Sequence, residues 1–329
     1  KVIVYSLLLV VVSILIRISY TIYAKKHFEE CHTRINLKAF DISLFKEMFS
    51  FSAWSLMGAL GFSFKDQFSN MIMNIFLGTT INAARGLSIQ FTGIVNNFAS
   101  NFMTALNPQV TKQFAAGEMD TYRSLIYTGS KISFYLFSII AIPLIVTISY
   151  LLQLWLGDVP QYTEIFIVIS LLSSLIYALS QATTVAIKAT GKIKFFEIGI
   201  SLILFSELPV AYLLLKIGYA PYYALLPGIV TQLCGLVFRF MMLKRIDNKF
   251  SYREYFINIV LRSFIVFLIA FFICKSFYRI SNPCFLWLVV TVLFCVMTYV
   301  ILIYLLGLDK QERFLVRRVI ANMFSKIKI

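Results

Sequence analysis

The sequence has little charge and few of the side chains on which enzyme chemistry is usually built. Asp, Glu, Lys and Arg make up 14% of 329 residues, with only 15 acids and two histidines. An average soluble domain carries roughly 25% charged residues. His27 and His32 lie on either side of Cys31, where a zinc site and a solvated loop are both open readings. Cys234, Cys274, Cys284 and Cys295 fall in or beside apolar runs, and no C-x-x-C pair occurs. Cys274 and Cys284 flank a short loop, as a disulfide or as packing residues. There is no H-E-x-x-H, no Walker loop and no nucleophile elbow. We therefore expect no enzyme: no catalytic residue, no cofactor and no metal.

Apolar length is abundant. Hydrophobic residues reach 60%, and mean hydropathy is +0.83. Only lipid hides such an excess. A helix crosses a membrane with about 20 apolar residues, and about nine runs qualify. They cover 2–24, 48–77, 83–106, 131–156, 162–187, 195–216, 221–243, 257–278 and 284–307. Helices are expected because lipid supplies no water to an open backbone. Unbroken stretches such as Leu7–Val12 and Val289–Val296 exclude the alternation of a membrane barrel. The expected fold class is all-α integral membrane, with about nine transmembrane helices.

The net charge of +15 would suggest nucleic acid in a soluble chain. Here the cations sort by side. Lys25, Lys26, Arg34, Lys38, Lys46, Lys112, Arg123, Lys131, Lys188, Lys192 and Lys194 fall on one side, with the clusters at 239–262 and 310–328. The opposite loops hold Arg85, Lys216, Lys275 and Arg279. By the positive-inside rule the rich side is cytoplasmic. The chain then starts outside and ends inside, with no nucleic-acid partner. An outside start on Lys1, without a cleavage site, leads us to expect the C-terminal part of a longer protein preceded by an odd number of spans.

Polar residues inside the spans are the functional candidates. Lys65 and Asp66 fall near the middle of 48–77, where a charge costs about 2.5–3.5 kcal/mol on insertion scales. Neighbours point about 100° apart on a helix, so we expect each to need water, another helix or substrate rather than the other. Asp66, Asn70 and Asn74 repeat every fourth residue. In the next span Arg85, Ser88, Thr92 and Asn96 form one polar row, and Gln90, Gly93, Asn97 and Asn101 a second. A hydrated cavity and interhelical hydrogen bonding both explain such rows. Arg85 and Arg17 are also within snorkelling reach of a surface. Glu207 sits centrally in 195–216, two residues before Pro209, and is a candidate with Asp66 for proton or ion coupling. Pro143, Pro209 and Pro227 mark expected kinks. From Asp309 onward, apolar residues at 3–4 spacing among basic ones suggest an amphipathic surface helix over 309–329.

From Phe49 to Arg245 the chain resembles the C-terminal lobe of polysaccharide flippases, in the superfamily that also holds multidrug and toxin extrusion transporters. The resemblance rests on Asp66-Gln67 followed by Ile75-Phe76-Leu77-Gly78, and on Leu106-Asn107-Pro108-Gln109 closing the next helix. It also rests on Leu156-Gly157-Asp158 at an outer turn and Ala189-Thr190-Gly191-Lys192 at an inner one. It implies that 1–24 is the last helix of a first lobe, 25–47 a cytoplasmic linker, 48–245 a six-helix second lobe and 246–308 an additional helix pair. It further implies a basic, hydrated cavity that passes undecaprenyl-pyrophosphate-linked oligosaccharide across a bacterial inner membrane by alternating access, for capsule or lipopolysaccharide. The glycan polymerase machinery would be a further partner. Lys65 and Arg85 suit pyrophosphate or acidic sugars. A cation-coupled drug exporter is the rival within the superfamily. A membrane glycan polymerase or ligase predicts a large outer loop that the sequence lacks, and a membrane scaffold would not need two polar rows.

Overall fold

The computed structural model describes residues 2–28, 40–280, 284–309 and 312–313. Cys31, His32 and nearly all of the basic tail lie outside the described residues. Two compact units divide the chain, 1–50 and 51–329.

The first unit holds helix α1, Val2–His27. Its polar groups are hidden locally: Ser13, Ser19 and Thr21 each donate to the carbonyl four residues back at 2.8 Å. Arg17 is exposed, and the His27 ring N–H meets the Tyr23 carbonyl at 3.0 Å. Among the described residues no group of three His, Cys, Asp or Glu could hold a metal. Asp41 accepts from Ser43 N at 2.8 Å and so caps the helix that begins at Ile42.

Helix α2, Ile42–Ala115, is two helices joined at Gly78, whose φ of 77° and ψ of −177° interrupt the ladder. Residues on either side of Gly78 share partners. Met73 and Ala84 enter one apolar cluster with Phe166 and Ile169. The Phe62 ring lies 6.4 Å from that of Tyr177, tilted to it, while Asn96 bonds Ser174. The arms 51–77 and 79–115 therefore fold back on one another. The second arm continues through Pro108 to Ala115, so 106–109 does not close the helix as expected.

The remaining helices are α3 (Met119–Leu156), α4 (Thr163–Ala189), α5 (Lys194–Phe205), α6 (Glu207–Ile217) and α7 (Leu226–Ile246). Short α8 (Tyr252–Tyr255) leads through a π segment into α9 (Arg262–Tyr278), and α10 (Phe285–Leu302) ends in another. Helix α3 packs on α4 on one side and on α9 and α10 on the other, and α4 packs on α7. Gly157 and Gly191 end α3 and α4 with positive φ, as turn glycines should. Pro143 lies inside an uninterrupted α3, and Pro227 opens α7. Only Pro209 accompanies a break: it cannot donate to the Phe205 carbonyl, and α5 gives way to α6 at Ser206.

No strand occurs among the described residues, and seven helical segments are long and apolar enough to cross a membrane. Seven of the nine runs expected to span meet that measure. The runs 48–77 and 83–106 are helical, but their rows of charged and amide side chains leave both arms of α2 below that apolarity. Cys274 is buried in the core between helices and Cys284 accepts from Trp287 N at the start of α10; both are free thiols.

At the lysine- and arginine-rich end, buried Lys131 bonds Asp309 at 3.0 Å and Glu312 at 2.9 Å. Arg262 also pairs with Asp309 and donates to the Leu308 carbonyl at 3.0 Å. Burial alone would raise the Asp309 carboxyl, but the Lys131 and Arg262 hydrogen bonds outweigh it and hold it below its ordinary value. This clamp fastens the end of α10 to α3 and α9.

The backbone at Gly78 favours glycine, whereas Gly86 lies in the helical part of the arm with nothing within 4 Å of an added Cβ. Gly78→Val should lower stability by about 1–3 kcal/mol, and Gly86→Ala should leave it unchanged or slightly raised. Thermal unfolding of the purified protein in detergent checks both; equal melting of the two variants would contradict the hinge.

Candidate functional site

Two inward rows on α2 create the site. On the first arm Gly61, Lys65, Ser69 and Met73 recur every fourth residue and are buried. Gly61 brings the arm close to α5, since an added Cβ would lie 2.9 Å from Ser201 Oγ. On the second arm the buried row includes Arg85, Ser88 and Thr92, with Asn96 half-buried below it. Between these rows, α4, α6 and α7 lies a cavity of about 590 Å³.

Four charges gather there. Lys65 Nζ is 3.0 Å from Asp66 Oδ1 and 3.4 Å from Glu207 Oε2. The expectation that Lys65 and Asp66 could not pair is therefore overturned. Their Cβ atoms diverge, but the four-carbon lysine stem bends the ammonium back across the gap. Glu207 is 4% exposed. Its place in the first turn of α6 puts the carboxylate at the positive end of a helix. Gly228 leaves room for it, an added Cβ being 3.4 Å from Oε1, and Thr231 Oγ1 donates weakly at 3.5 Å. Arg85 uses Nη1 to reach Ser170 at 3.0 Å and Ser88 at 3.3 Å.

Lys65, Asp66, Arg85 and Glu207 thus share one cavity wall. The other predicted site residues do not. Asn70 is half-buried with Oδ1 lacking a hydrogen bond. Asn74, Gln90, Asn97 and Asn101 are exposed, and none of these five lines the cavity. Arg17 belongs to the other unit. The second polar row faces outward except at Gly93. Both rows have helical spacing, so spacing alone could not say which one turns inward.

The stripe missed from sequence is on α4: Ser170, Ser173, Ser174, Tyr177, Gln181, Thr184 and Lys188 all face the cavity. Its three- and four-residue spacing is the available signal, hidden by the high hydropathy of the run. Toward the basic end Lys188 pairs with Glu197 at 2.9 Å. The wall therefore carries three cations, Lys65, Arg85 and Lys188, against Asp66 and Glu207, and Glu197 evens the balance. The cavity is polar and charge-balanced, not basic. It presents hydroxyl, amide and charged groups inside the helix bundle.

Compared with family models, with curated proteins and with solved structures, the chain returns no match.

Removing Lys65 leaves Asp66 and the buried Glu207 without the cation that pairs with both. Lys65→Ala should destabilise the protein by about 3 kcal/mol, and adding Glu207→Gln should recover part of the loss. Thermal unfolding in detergent checks this; a Lys65→Ala protein as stable as wild type would contradict the pairing.

Proposed function

We propose that this chain is part of a membrane transporter, a flippase that passes lipid-linked polysaccharide repeat units across a bacterial inner membrane by alternating access. The observation that carries the reading is the cavity of about 590 Å³, lined by charged, hydroxyl and amide groups from α2, α4, α6 and α7, in a bundle with seven segments apolar enough to span a bilayer. Buried charge in a membrane is costly and seldom kept without a task. Hydroxyl and amide groups from α2, α4 and α7, with Phe62 and Tyr177 beside them, match the mixed polar and flat apolar faces of sugar rings. The discontinuous α5–α6 segment, with Glu207 at the break, suits a transporter in which half-helix ends meet the solute path. The sequence resemblance over Phe49–Arg245 supplies the lipid-linked glycan as the cargo. The basic clusters at one end of the bundle support a cytoplasmic position for that end under the positive-inside rule.

A cation-coupled exporter of small molecules is the second reading, favoured by the two carboxylates that share Lys65. Asp66 and Glu207 are then the coupling residues, a role they also have in the first reading.

The test is genetic. Loss of the gene should abolish a surface glycan and accumulate its lipid-linked precursor. Genes carrying Lys65→Ala, Asp66→Ala or Arg85→Ala should fail to restore the glycan when expressed at wild-type level. A null strain without precursor accumulation would overturn the flippase reading, and full restoration by all three variants would overturn the site.

A further inference from the structure

We infer that Tyr162, Tyr219, Tyr222 and Tyr223 form a sugar-binding platform at the end of the bundle remote from the basic clusters, stacking on the pyranose rings of a glycan. The inference rests on the flippase reading for its ligand class, but the site lies outside the central cavity.

The backbone gives the first sign. Tyr162, just before α4, has φ 67° and ψ 0°, and no other non-glycine residue among those described has a positive φ. A bulky side chain held there costs about 1–3 kcal/mol, a strain found most often at functional sites. Glycine takes the positive φ at the turns nearby, Gly157 and Gly218. Tyr162 forgoes that ease and lays its ring 6.3 Å from Phe166, nearly parallel to it. Three more tyrosines gather beside it. Pro221 opens a 3-10 turn, Pro221–Leu225, that sets the Tyr222 and Tyr223 rings 4.6 Å apart. Tyr162 lies 6.1 Å from Tyr222, and Tyr219 5.3 Å from Tyr223. Both turns are tied down: Thr163 Oγ1 donates to the Pro160 carbonyl at 2.7 Å and Tyr223 N to the Ala220 carbonyl at 3.0 Å. Rings mounted in this way lose little freedom on binding.

Their place ties them to the solute path. Along α4 the order is Tyr162, then Phe166 and Ile169 of an apolar layer, then Ser170 of the cavity wall. Tyr162 and Tyr222 pack inward on that layer, whereas an interfacial belt turns its rings to lipid. Tyr219 is 50% exposed and the other three are half-buried, so ring faces remain open to a ligand. A tyrosine offers a flat apolar face and a hydroxyl that donates and accepts. A pyranose offers the matching pair, a face of C–H groups and a rim of hydroxyls.

The purified protein in detergent is titrated with lactose, cellobiose and chitobiose, with ring-free sorbitol as the control, and saturation-transfer NMR reads the ligand protons. At least one disaccharide should bind more tightly than sorbitol, with the strongest signal from C–H protons on one ring face. Tyr222→Leu keeps apolar bulk without an aromatic face and should weaken binding at least about threefold. Tyr222→Phe, which keeps the ring, should retain most of the binding. Tyr162→Gly suits the backbone but removes the ring, and should weaken binding to a similar degree. Should Tyr162→Gly not fold, Tyr162→Leu against Tyr162→Phe decides, with the same order expected. Tyr252→Leu, exposed at the basic end, should match wild type. The inference is overturned if no disaccharide outbinds sorbitol, or if the Leu variants bind like wild type, which would place the sugar elsewhere. It is also overturned if Leu and Phe at one position weaken binding equally, the mark of a packing role alone. Tyrosine-dependent binding without precursor accumulation in the null strain would refute flipping and leave the platform standing, and precursor accumulation without sugar binding would refute the platform alone.

Discussion

The ammonium of Lys65, held between Asp66 and Glu207, is the constraint on which the polar interior depends. Two carboxylates inside apolar helices would carry a large desolvation cost without it. With it, the first arm of α2 is tied to α6, and the wall of a cavity is fixed. The pairing is unequal: one cation serves two anions, and the remaining positive charge is Arg85. Arg85, on the same wall but outside ion-pair distance, brings the four charges to balance.

Backbone features place these charges. Gly78 lets the chain reverse, so that Lys65 on one arm and Arg85 on the other come to the same wall. Pro209 breaks the α5–α6 segment and leaves Glu207 in a helical first turn, where the backbone dipole favours its charge. Gly228 and Gly61 give the space in which the side chains and helices close up. The rest of the bundle, centred on α3 and α4, is conventional apolar packing, fastened at the basic end by Lys131, Arg262 and Asp309.

The helices were legible in the sequence because long apolar runs have no other stable form in lipid. The inward row Arg85, Ser88 and Thr92 was legible as a helical stripe, as was the central position of Glu207. The contact between Lys65 and Glu207 was not, since nothing local links positions 142 residues apart. Asn74, Gln90, Asn97 and Asn101 looked equivalent to the inward residues because period alone does not choose a face. The α4 stripe escaped because serine and threonine donate to their own helix and scarcely lower its hydropathy, as Ser180, Thr183 and Thr184 do. The cavity's balance of charge followed from pairings such as Lys188 with Glu197, which a net charge of +15 conceals.

The central claim is that this charged wall faces water within the membrane. The direct measurement is cysteine accessibility in an otherwise cysteine-free protein embedded in membranes. Cysteine is placed singly at Ser170, Ser174 or Asn96, and for comparison at Leu268 or Leu293, exposed on the outer faces of the apolar helices α9 and α10. A water-soluble, membrane-impermeant thiol reagent should modify the first three far faster than the last two. Equal protection at all five positions would mean that no aqueous cavity reaches the Lys65–Glu207 pair, and the account would fail.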